Sequence, residues 1–230
     1  MPKISVLLPA YNAEKYIGSA IQSIIGQTYS DFEFIIINDG SQDRTSEIIK
    51  SFNDPRIVFV DNEKHSGLVA VLNQGLDMAR GEYIARMDAD DIAYPNRFEK
   101  QVAFMDANPN VGLSGTHMHI FRFDANEYYC GIREGKLHIH DFLISNLLAH
   151  PTVMMRKSVF DKYNLRYDPD YVAAEDYELW TRAVLCTDIA ILPEPLLRYR
   201  IHSESVTQTE RPLQMANINR IQEKLRKYLQ

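Results

Sequence analysis

The chain has 230 residues, of which 45% are hydrophobic, 24% are charged and 10% are aromatic. These values are ordinary for a soluble globular protein with a buried core, built as one domain or as one domain with an appended subdomain. The formal net charge is −6 at pH 7. This charge argues against a nucleic-acid partner, because nucleic-acid-binding proteins usually present a basic face.

The cysteine content and the N-terminal segment point to a cytoplasmic protein. The two cysteines, Cys130 and Cys186, form neither a metal-like pair nor a disulfide framework, so we expect a reducing compartment. The apolar run near the N-terminus is too short for a signal peptide or a membrane span. We therefore expect a protein of the cytoplasm, either free or at the inner face of the membrane.

The first half of the chain alternates between strand and helix patterns. Short apolar runs predict strands buried on both faces over residues 4–8, 34–37, 57–60 and 83–87. Apolar residues at helical spacing predict three intervening helices, over residues 16–25, after a cap at Ser41 or Asp43, and over residues 68–79. Such alternation predicts an α/β fold with a mainly parallel sheet flanked by helices.

The second half is less regular and predicts a smaller, mixed part. We expect a helix from Pro95 to about residue 107, a strand over residues 111–123, and then short helical pieces. A further helix begins at Glu175, a last strand covers residues 196–201, and a helix runs from Pro212 to the end of the chain.

Polar clusters follow three of the predicted strands. They are Pro9-Ala10-Tyr11-Asn12, Asn38-Asp39-Gly40-Ser41 and Asp88-Ala89-Asp90-Asp91. Ligands of open parallel sheets bind beyond the carboxyl ends of the strands, so these clusters are expected to meet at one edge. Each cluster alone is explained as well by the turn-forming tendency of Asn, Asp, Gly and Ser. All three together favour a binding site.

The carboxylates of Asp88, Asp90 and Asp91 are the sharpest chemical signal. In an extended chain Asp88 and Asp90 would face the same way, and two adjacent carboxylates repel unless a cation or a proton separates them. A hard divalent cation with oxygen ligands suits such a pair. Neither phosphate-binding glycine motif, G-x-x-x-x-G-K-[ST] or G-x-G-x-x-G, occurs, so a diphosphate ligand would rely on a metal. The alternative is a solvated acidic loop.

Glu175 and Asp176 begin a predicted helix, and the helix dipole stabilises an ionised carboxylate in that first turn. Acidic residues are also common there without any catalytic meaning. For this pair alone, the functional and the purely structural interpretations carry equal weight.

In this order, these motifs resemble family 2 of the glycosyltransferases, the inverting enzymes with the GT-A fold. The resemblance covers about residues 4–202. It rests on the three strand-end clusters and on two further segments, Ala79-Arg80-Gly81-Glu82-Tyr83-Ile84-Ala85 and Glu175-Asp176-Tyr177-Glu178-Leu179-Trp180. Each motif alone is weak, whereas the ordered set is specific.

The resemblance implies a role for each matching position. Asp176 is similar to the general base, and Glu175 would help to bind the acceptor or to hold the geometry. Asp90, Asp88 and the late His202 would hold Mn²⁺ or Mg²⁺. The residues that would bind the nucleotide-sugar donor are Pro9, Tyr11, Asn12, Asp39, Ser41, Asn73, Arg86, Asp88 and Asp91.

One position departs from the family pattern. Many members carry an arginine just before Asn73, where this chain has Leu72. Arg86 is a feature of a subgroup and would supply the missing charge if it reached the diphosphate. His150 also looks family-like, but the resemblance gives it no firm role.

The resemblance implies transfer of a sugar from a nucleotide-diphosphate donor, by default a UDP-sugar, to an acceptor hydroxyl. A saccharide or a lipid-linked saccharide in surface polysaccharide synthesis is the expected acceptor. We expect a donor-binding half over residues 1–110, an acceptor-binding half over residues 111–210 and a C-terminal helix over residues 211–230. A glycoside hydrolase would explain the paired acids but not the nucleotide motifs. A non-catalytic nucleotide-sugar binder would not need a base. A nucleotidyltransferase would need a glycine-rich, basic triphosphate loop.

Two further patterns have competing interpretations. The alternating pairs His117/His119 and His138/His140 could bind zinc, although surface or acceptor-side histidines are the favoured interpretation. The closing helix has an apolar stripe flanked by basic residues. It suits packing on its own domain, a homodimer contact or peripheral contact with an anionic membrane.

Overall fold

The structure, a computed structural model, describes residues 1–122, 127–131, 133–203, 205 and 209–230. Its described residues form one large sheet covered by helices on both faces. The predicted strand over residues 111–123 runs to Phe121, and Phe123 lies outside the described residues.

The strands lie in the order β3-β2-β1-β4-β9-β6-β10-β5, with β7 paired to β6 and β8 paired to β10. Their bounds are β1 Ile4–Ala10, β2 Phe32–Asp39, β3 Ile57–Asn62, β4 Tyr83–Arg86, β5 Ile92–Ala93, β6 Val111–Phe121, β7 Glu127–Cys130, β8 Gly135–Leu137, β9 Met154–Arg156 and β10 Asp188–Arg200.

The α-helices occupy both faces of this sheet. They are α1 Ile17–Ile25, α2 Thr45–Lys50, α3 Leu68–Met78, α4 Arg97–Ala107, α5 Lys157–Lys162, α6 Glu175–Ala183 and α7 Arg211–Tyr228. Short 3-10 helices cover Ile139–Leu143, His150–Thr152 and Pro169–Tyr171.

The first half of the chain forms the parallel part of the sheet. β1 pairs in parallel with both β2 and β4, and β2 pairs in parallel with β3. Every residue of β1 is buried, as the nearly continuous apolar run predicts for a strand covered on both faces. The α/β prediction with helices flanking a mainly parallel sheet is confirmed.

The second half differs from the prediction in its strands. β9, which the sequence pattern did not reveal, lies antiparallel between β4 and β6. β10 begins eight residues before the predicted start at Leu196, because its first part pairs with β6 and β8. Register shifts around Pro195 interrupt this pairing, and they split the strand pattern so that only its end was recognisable.

Two apolar clusters fill the spaces between the sheet and its helices. One contains side chains of α1 and α4, and the other contains side chains of α3, α6 and α7. In α7, Ile221 and Leu225 are buried in this second cluster, so its apolar stripe packs on its own domain. Among the described residues, no helix combines the length and the apolar character needed to cross a membrane.

Gly75 of α3 marks a close contact between helix and sheet. A Cβ atom at this position would lie 2.1 Å from Cδ1 of Leu7, a fully buried residue of β1. We expect Gly75→Ala to lower the free energy of unfolding by about 1–3 kcal/mol, because extra volume in a packed core forces side chains or backbone to move. Urea unfolding measures this loss.

Gly18→Ala is the matched control, since Gly18 lies within α1 and a Cβ there would meet only Ile48 Cγ2, at 3.8 Å. We expect this variant to gain up to about 1 kcal/mol from the higher helix propensity of alanine. Equal unfolding midpoints for the two variants would contradict the packing account.

Candidate functional site

A cavity of about 820 Å³ opens beyond the carboxyl ends of β1, β2 and β4. Pro9, Tyr11 and Asn12 line it after β1, Asp39 lines it at the end of β2, and Asp88 to Asp90 line it after β4. The strand-end clusters therefore meet at one edge, as the topology of a parallel sheet requires. Its volume lies in the range of sites that hold small molecules and cofactors.

Asp39 is buried at the floor of this cavity and organises the loop before α3. Its Oδ1 accepts hydrogen bonds from the backbone and hydroxyl of Ser66, and its Oδ2 accepts one from the Gly67 backbone at 2.9 Å. Asp39 thereby fixes the two residues that directly precede α3. Burial alone would raise the pKa of Asp39, but these hydrogen bonds and His65 outweigh it and lower that pKa.

Tyr11 and His65 form an aromatic pair at the mouth of the cavity. Their rings stack with centroids 4.0 Å apart, and His65 Nδ1 lies 2.9 Å from Asp39 Oδ2. Gly40 lets the backbone of His65 pass close by, because its φ is +69° and a Cβ would lie 2.7 Å from the backbone nitrogen of His65. His65 was not among the predicted site residues, since a lone histidine in a polar loop has no distinctive spacing.

Asn12 and Ser41 join the loops that follow β1 and β2. The Asn12 backbone donates to Ser41 Oγ at 2.9 Å, and Asn12 Oδ1 accepts from the Gln42 backbone at 2.9 Å. Asn12 has a φ of 46°, a conformation that asparagine tolerates better than most residues. In this arrangement Ser41 contacts the Asn12 backbone and supports the wall of the cavity.

Asp88, Asp90 and Asp91 bring three carboxylates together. One ligand oxygen from each lies within 4.8 Å of the others. Asp88 and Asp90 lie close together as expected, but the chain reaches this arrangement by a turn at Ala89 and Asp90 instead of an extended backbone. The turn brings Asp91 into the same cluster, but Asp91 is fully buried below the cavity.

Residues at and just after the end of β10 contact the segment from Asp88 to Asp91, which we call the acidic turn. Arg200 donates its backbone N–H to Asp91 Oδ1 at 2.8 Å and its Nε to the Asp90 carbonyl at 2.7 Å. Two residues later, His202 Nε2 lies 2.8 Å from Asp90 Oδ2. The predicted metal ligands Asp90 and His202 are thus neighbours, although they are far apart in the chain.

Arg86 is the buried positive charge beside this cluster. It is 2% exposed and forms an ion pair with Asp88. Burial raises the pKa of Asp88, and Asp90 adds to the effect while Arg86 opposes it. Burial and the neighbouring carboxylates Asp88 and Asp90 also hold the pKa of Asp91 well above its usual value. A cluster with this excess of negative charge has the donor set that a divalent cation with oxygen ligands prefers.

Asn73 lines the cavity, but its side chain is already engaged. Its Oδ1 accepts from the Tyr167 backbone and its Nδ2 donates to the Tyr167 carbonyl, both at 2.9 Å. Leu72, at the position where many family members carry arginine, is fully buried. The donor-binding roles of Asn73 and Arg86 stay predictions. In this structure Asn73 ties α3 to the segment before α6, and Arg86 lies behind Asp88.

Glu175 and Asp176 are the first two residues of α6. Glu175 lines the cavity and is 6% exposed. Asp176 Oδ2 accepts a hydrogen bond from Asn146 at 2.8 Å, and its Oδ1 accepts one from the Tyr177 backbone. Asp176 is close enough to Arg86 and Asp88 for their charges to act on its pKa, which burial raises.

His150 packs behind this wall. Its Nε2 lies 2.8 Å from the Tyr167 hydroxyl, and its ring meets the Trp180 ring edge to face. Burial holds the pKa of His150 well below its usual value, and the positive charge of Arg86 lowers it further. A neutral imidazole in this contact supports the base of α6.

The histidine pairs of the second half have other partners. His117 contacts the Tyr129 hydroxyl and the Arg133 carbonyl, and His119 contacts the Tyr94 hydroxyl at 2.8 Å. Within the part of the chain that the structure describes, the acidic turn is the only group of three or more potential ligands at metal spacing. The zinc alternative therefore finds no support.

Glu175 makes the free energy of unfolding depend on pH. Burial, with a contribution from Asp176, raises the pKa of Glu175 from its usual 4.5 to about 7. The folded protein therefore holds this proton more tightly than the unfolded chain, and wild-type stability falls as pH rises from about 4.5 to 7. Relative to wild type, Glu175→Gln should gain as much as about 3 kcal/mol between pH 5 and pH 8.

Urea unfolding of both proteins at the two pH values measures this gain. The exposed Glu47 of α2 supplies the control, because Glu47→Gln makes the same chemical change at a residue that does not line the cavity. A Glu175→Gln difference that does not change with pH would show that Glu175 is not held protonated.

Comparison with known proteins places this architecture in a family. The profile of Glycosyl transferase family 2 matches residues 5–163, which includes the acidic turn but ends before α6. An uncharacterized glycosyltransferase of Haemophilus influenzae is 36% identical over 222 residues, covering 90% of this chain and 68% of the relative. The O-antigen biosynthesis glycosyltransferase WbnJ of Escherichia coli is 35% identical, covering 90% of this chain and 82% of the relative.

Two solved structures share the fold. Staphylococcus aureus TarS 1–349 in complex with UDP has a TM-score of 0.74 at 22% identity, covering 94% of this chain and 65% of that chain. The mannosyltransferase PcManGT of Pyrobaculum calidifontis in complex with GDP-Man and Mn²⁺ has a TM-score of 0.69 at 18% identity, covering 89% of this chain and 58% of that chain. This chain thus spans about two thirds or less of either solved chain. From the profile match and the curated relatives together, the chain belongs to glycosyl transferase family 2.

Proposed function

We propose that this chain transfers a sugar, with inversion, from a nucleotide-diphosphate donor to an acceptor hydroxyl. One observation carries the proposal. A single cavity is lined by the loops after β1 and β2, by Asp88 and Asp90 of the three-aspartate cluster, and by Glu175 at the start of α6. A nucleotide-sugar needs these three surfaces together, whereas a glycoside hydrolase needs only the paired acids.

The nucleotide would lie along the loops after β1 and β2. Tyr11 and His65 offer aromatic faces to the base, and the ionised Asp39 can accept a further hydrogen bond from the base or the ribose. A UDP-sugar is our default donor. The fold shared with the UDP complex of TarS supports this choice, and the fold shared with the GDP-Man complex of PcManGT makes a GDP-sugar the alternative.

Asp90, Asp88 and His202 would hold the divalent cation, Mn²⁺ or Mg²⁺. The fit rests on the excess negative charge of the acidic turn and on the Asp90–His202 contact. When bound, such a cation offsets the charge that grows on the leaving diphosphate. Arg200 keeps the turn in place through the Asp90 and Asp91 contacts described above.

Asp176 would be the general base. Its carboxylate would take the proton of the acceptor hydroxyl as the hydroxyl oxygen bonds to the anomeric carbon, and the nucleoside diphosphate would leave from the opposite face. Asn146 would hold the carboxylate in this orientation through its 2.8 Å hydrogen bond. The pKa of Glu175 is raised to about 7, so this side chain would carry a proton in part of the molecules near neutral pH. It would share that proton in a hydrogen bond with the acceptor or with groups beside the acceptor.

The halves of the chain would divide the substrates between them. Residues 1–110 would bind the donor, residues 111–210 would bind the acceptor, and residues 211–230 would support the acceptor side. A saccharide or a lipid-linked saccharide would suit the acceptor half in surface polysaccharide synthesis, which the 35% identity to WbnJ supports. Work at the inner face of the membrane would suit such an acceptor.

A thermal-shift panel of UDP-sugars and GDP-sugars, each with Mn²⁺, Mg²⁺ or EDTA, tests the proposal. A ligand that binds only the folded state raises the melting temperature, so one donor class should do so in a cation-dependent way. The selected donor is then incubated with acceptor saccharides. Transfer to an acceptor supports the proposal, whereas cation-independent binding or release of free sugar without transfer contradicts it.

A further inference from the structure

The last helix of the chain, α7, contacts residues 170–174, the loop that leads into α6. Three side chains at successive turns of α7 reach main-chain carbonyls of this loop. Gln214 Nε2 donates to the Ala173 carbonyl at 3.0 Å, and Asn217 Nδ2 donates to the Val172 carbonyl at 2.8 Å. One turn later, an Arg220 amino group donates to the Asp170 carbonyl at 3.1 Å.

The loop needs such support because of its backbone conformation. Ala173 has a φ of +64°, in the left-handed region that residues other than glycine rarely occupy. Strained backbone persists where surrounding contacts fix it, and it clusters at functional sites. Gln214 and Asn217 bond to the carbonyls of Ala173 and its predecessor, so they hold this conformation from outside the loop.

The loop that α7 contacts is part of the candidate site. Val172 and Ala173 line the cavity, and Ala174 is the residue that precedes the first turn of α6. The Ala174 carbonyl accepts the hydrogen bond from the Glu178 backbone that closes this turn. The loop conformation therefore sets where α6 begins, and with it where Glu175 and Asp176 stand.

The docking of α7 alone does not explain these contacts. Ile221 and Leu225 already bury an apolar stripe of the helix against the core. Asn217 is 8% exposed, and a buried amide without a hydrogen-bond partner is costly, so an apolar residue would suit simple packing better. The hydrogen bond to the Val172 carbonyl explains why an amide stands at this buried position.

We infer that Asn217, assisted by Gln214, is a positioning residue for the carboxylates at the start of α6. The inference rests on the proposed function, because it assumes that the acidic start of α6 acts on the acceptor. It predicts that α7 controls the chemical step while donor binding, which uses the loops after β1, β2 and β4, stays intact.

Asn217→Asp and Gln214→Glu test the inference, because each keeps the size of the side chain and removes the amide donor. We expect kcat to fall between about tenfold and 10²-fold, since small misplacement of a catalytic group has effects of this size. The affinity for the selected nucleotide diphosphate with Mn²⁺ and the KM for the donor should stay within about twofold of wild type. Asn219→Asp on the exposed face of α7 is the matched control and should keep the wild-type kcat.

If Asn217→Asp fails to fold, Gln214→Glu still tests the inference. Gln214 is only half-buried, so its substitution disturbs the core less than that of Asn217. A normal kcat in both variants overturns the inference, as does a loss of kcat that only mirrors the loss of folded protein. Asp176→Asn in the same assay separates the two proposals. If it abolishes turnover while Asn217→Asp and Gln214→Glu do not, the positioning role alone fails. If Asp176→Asn leaves turnover normal, the base assignment fails.

Discussion

Asp176→Asn is expected to lower kcat by about 10²- to 10⁴-fold, the contribution that a positioned general base makes. An acceptor hydroxyl is a poor nucleophile at neutral pH, and the asparagine amide cannot take its proton. The substitution preserves the shape of the side chain, and its oxygen can still accept the hydrogen bond from Asn146. We therefore expect an unchanged fold and an unchanged affinity for the donor in the presence of the cation. Steady-state kinetics together with donor titration measure the two effects.

Asp170→Asn provides the matched control, because Asp170 is an exposed residue of the short 3-10 helix before α6 and the substitution changes the charge equally. It should retain the turnover of the wild type. Near-normal turnover of Asp176→Asn would remove Asp176 from the base role and direct attention to Glu175, which lines the cavity.

Asp90→Asn is expected to remove the cation dependence of donor binding. An amide oxygen is a weaker ligand than a carboxylate for a hard divalent cation, and Asp90 is the aspartate that also contacts His202. With Mn²⁺ present, the affinity for a nucleoside diphosphate should fall at least about tenfold, to the level that EDTA produces in the wild type. Titration calorimetry with and without the cation measures this change.

Asp77→Asn is a suitable control, since Asp77 is exposed on α3 in an ion pair with Arg166. Exposed pairs of this kind contribute little, so this variant should bind the nucleotide as the wild type does. If Asp90→Asn keeps the full cation effect, the acidic turn is not the cation site.

The first half of the fold could be predicted from the sequence for a simple physical reason. A strand buried on both faces leaves a nearly continuous apolar run, and β1, β2 and β4 each contain one. The rule that ligands bind beyond the strand ends then predicts the edge of the sheet at which the cavity lies. The convergence of Asp39 and Asp88 in one cavity follows from this topology.

The second half could not be predicted to the same depth, because its strands depend on distant partners. β9 has only three residues, and its place in the sheet comes from pairing with β4 and β6. β10 is long but irregular around Pro195, so the local sequence pattern predicted only its end. The sequence pattern also did not reveal the turn at Ala89 and Asp90. An extended backbone would place Asp88 and Asp90 together as well, so the expected cluster is present although the backbone differs.

The supporting residues of the site had no signal in the sequence. His65 stacks on Tyr11, Asn146 bonds to Asp176, and Asn217 bonds to the Val172 carbonyl. Each of these is an ordinary polar residue in a loop or a helix, and each acquires its role only through a partner brought close by folding. Motif spacing can identify groups that share one segment, but it contains no information on such contacts.

The central claim is that the acidic turn and the start of α6 serve one bound nucleotide-sugar. Crystals grown with Mn²⁺ and a nucleoside diphosphate, measured at the manganese absorption edge, test it most directly. The account predicts an anomalous peak at ligand distance from Asp90, with diphosphate oxygens on the same ion and the base beside Tyr11. A peak elsewhere, or a nucleotide bound outside the cavity that Glu175 lines, would contradict it.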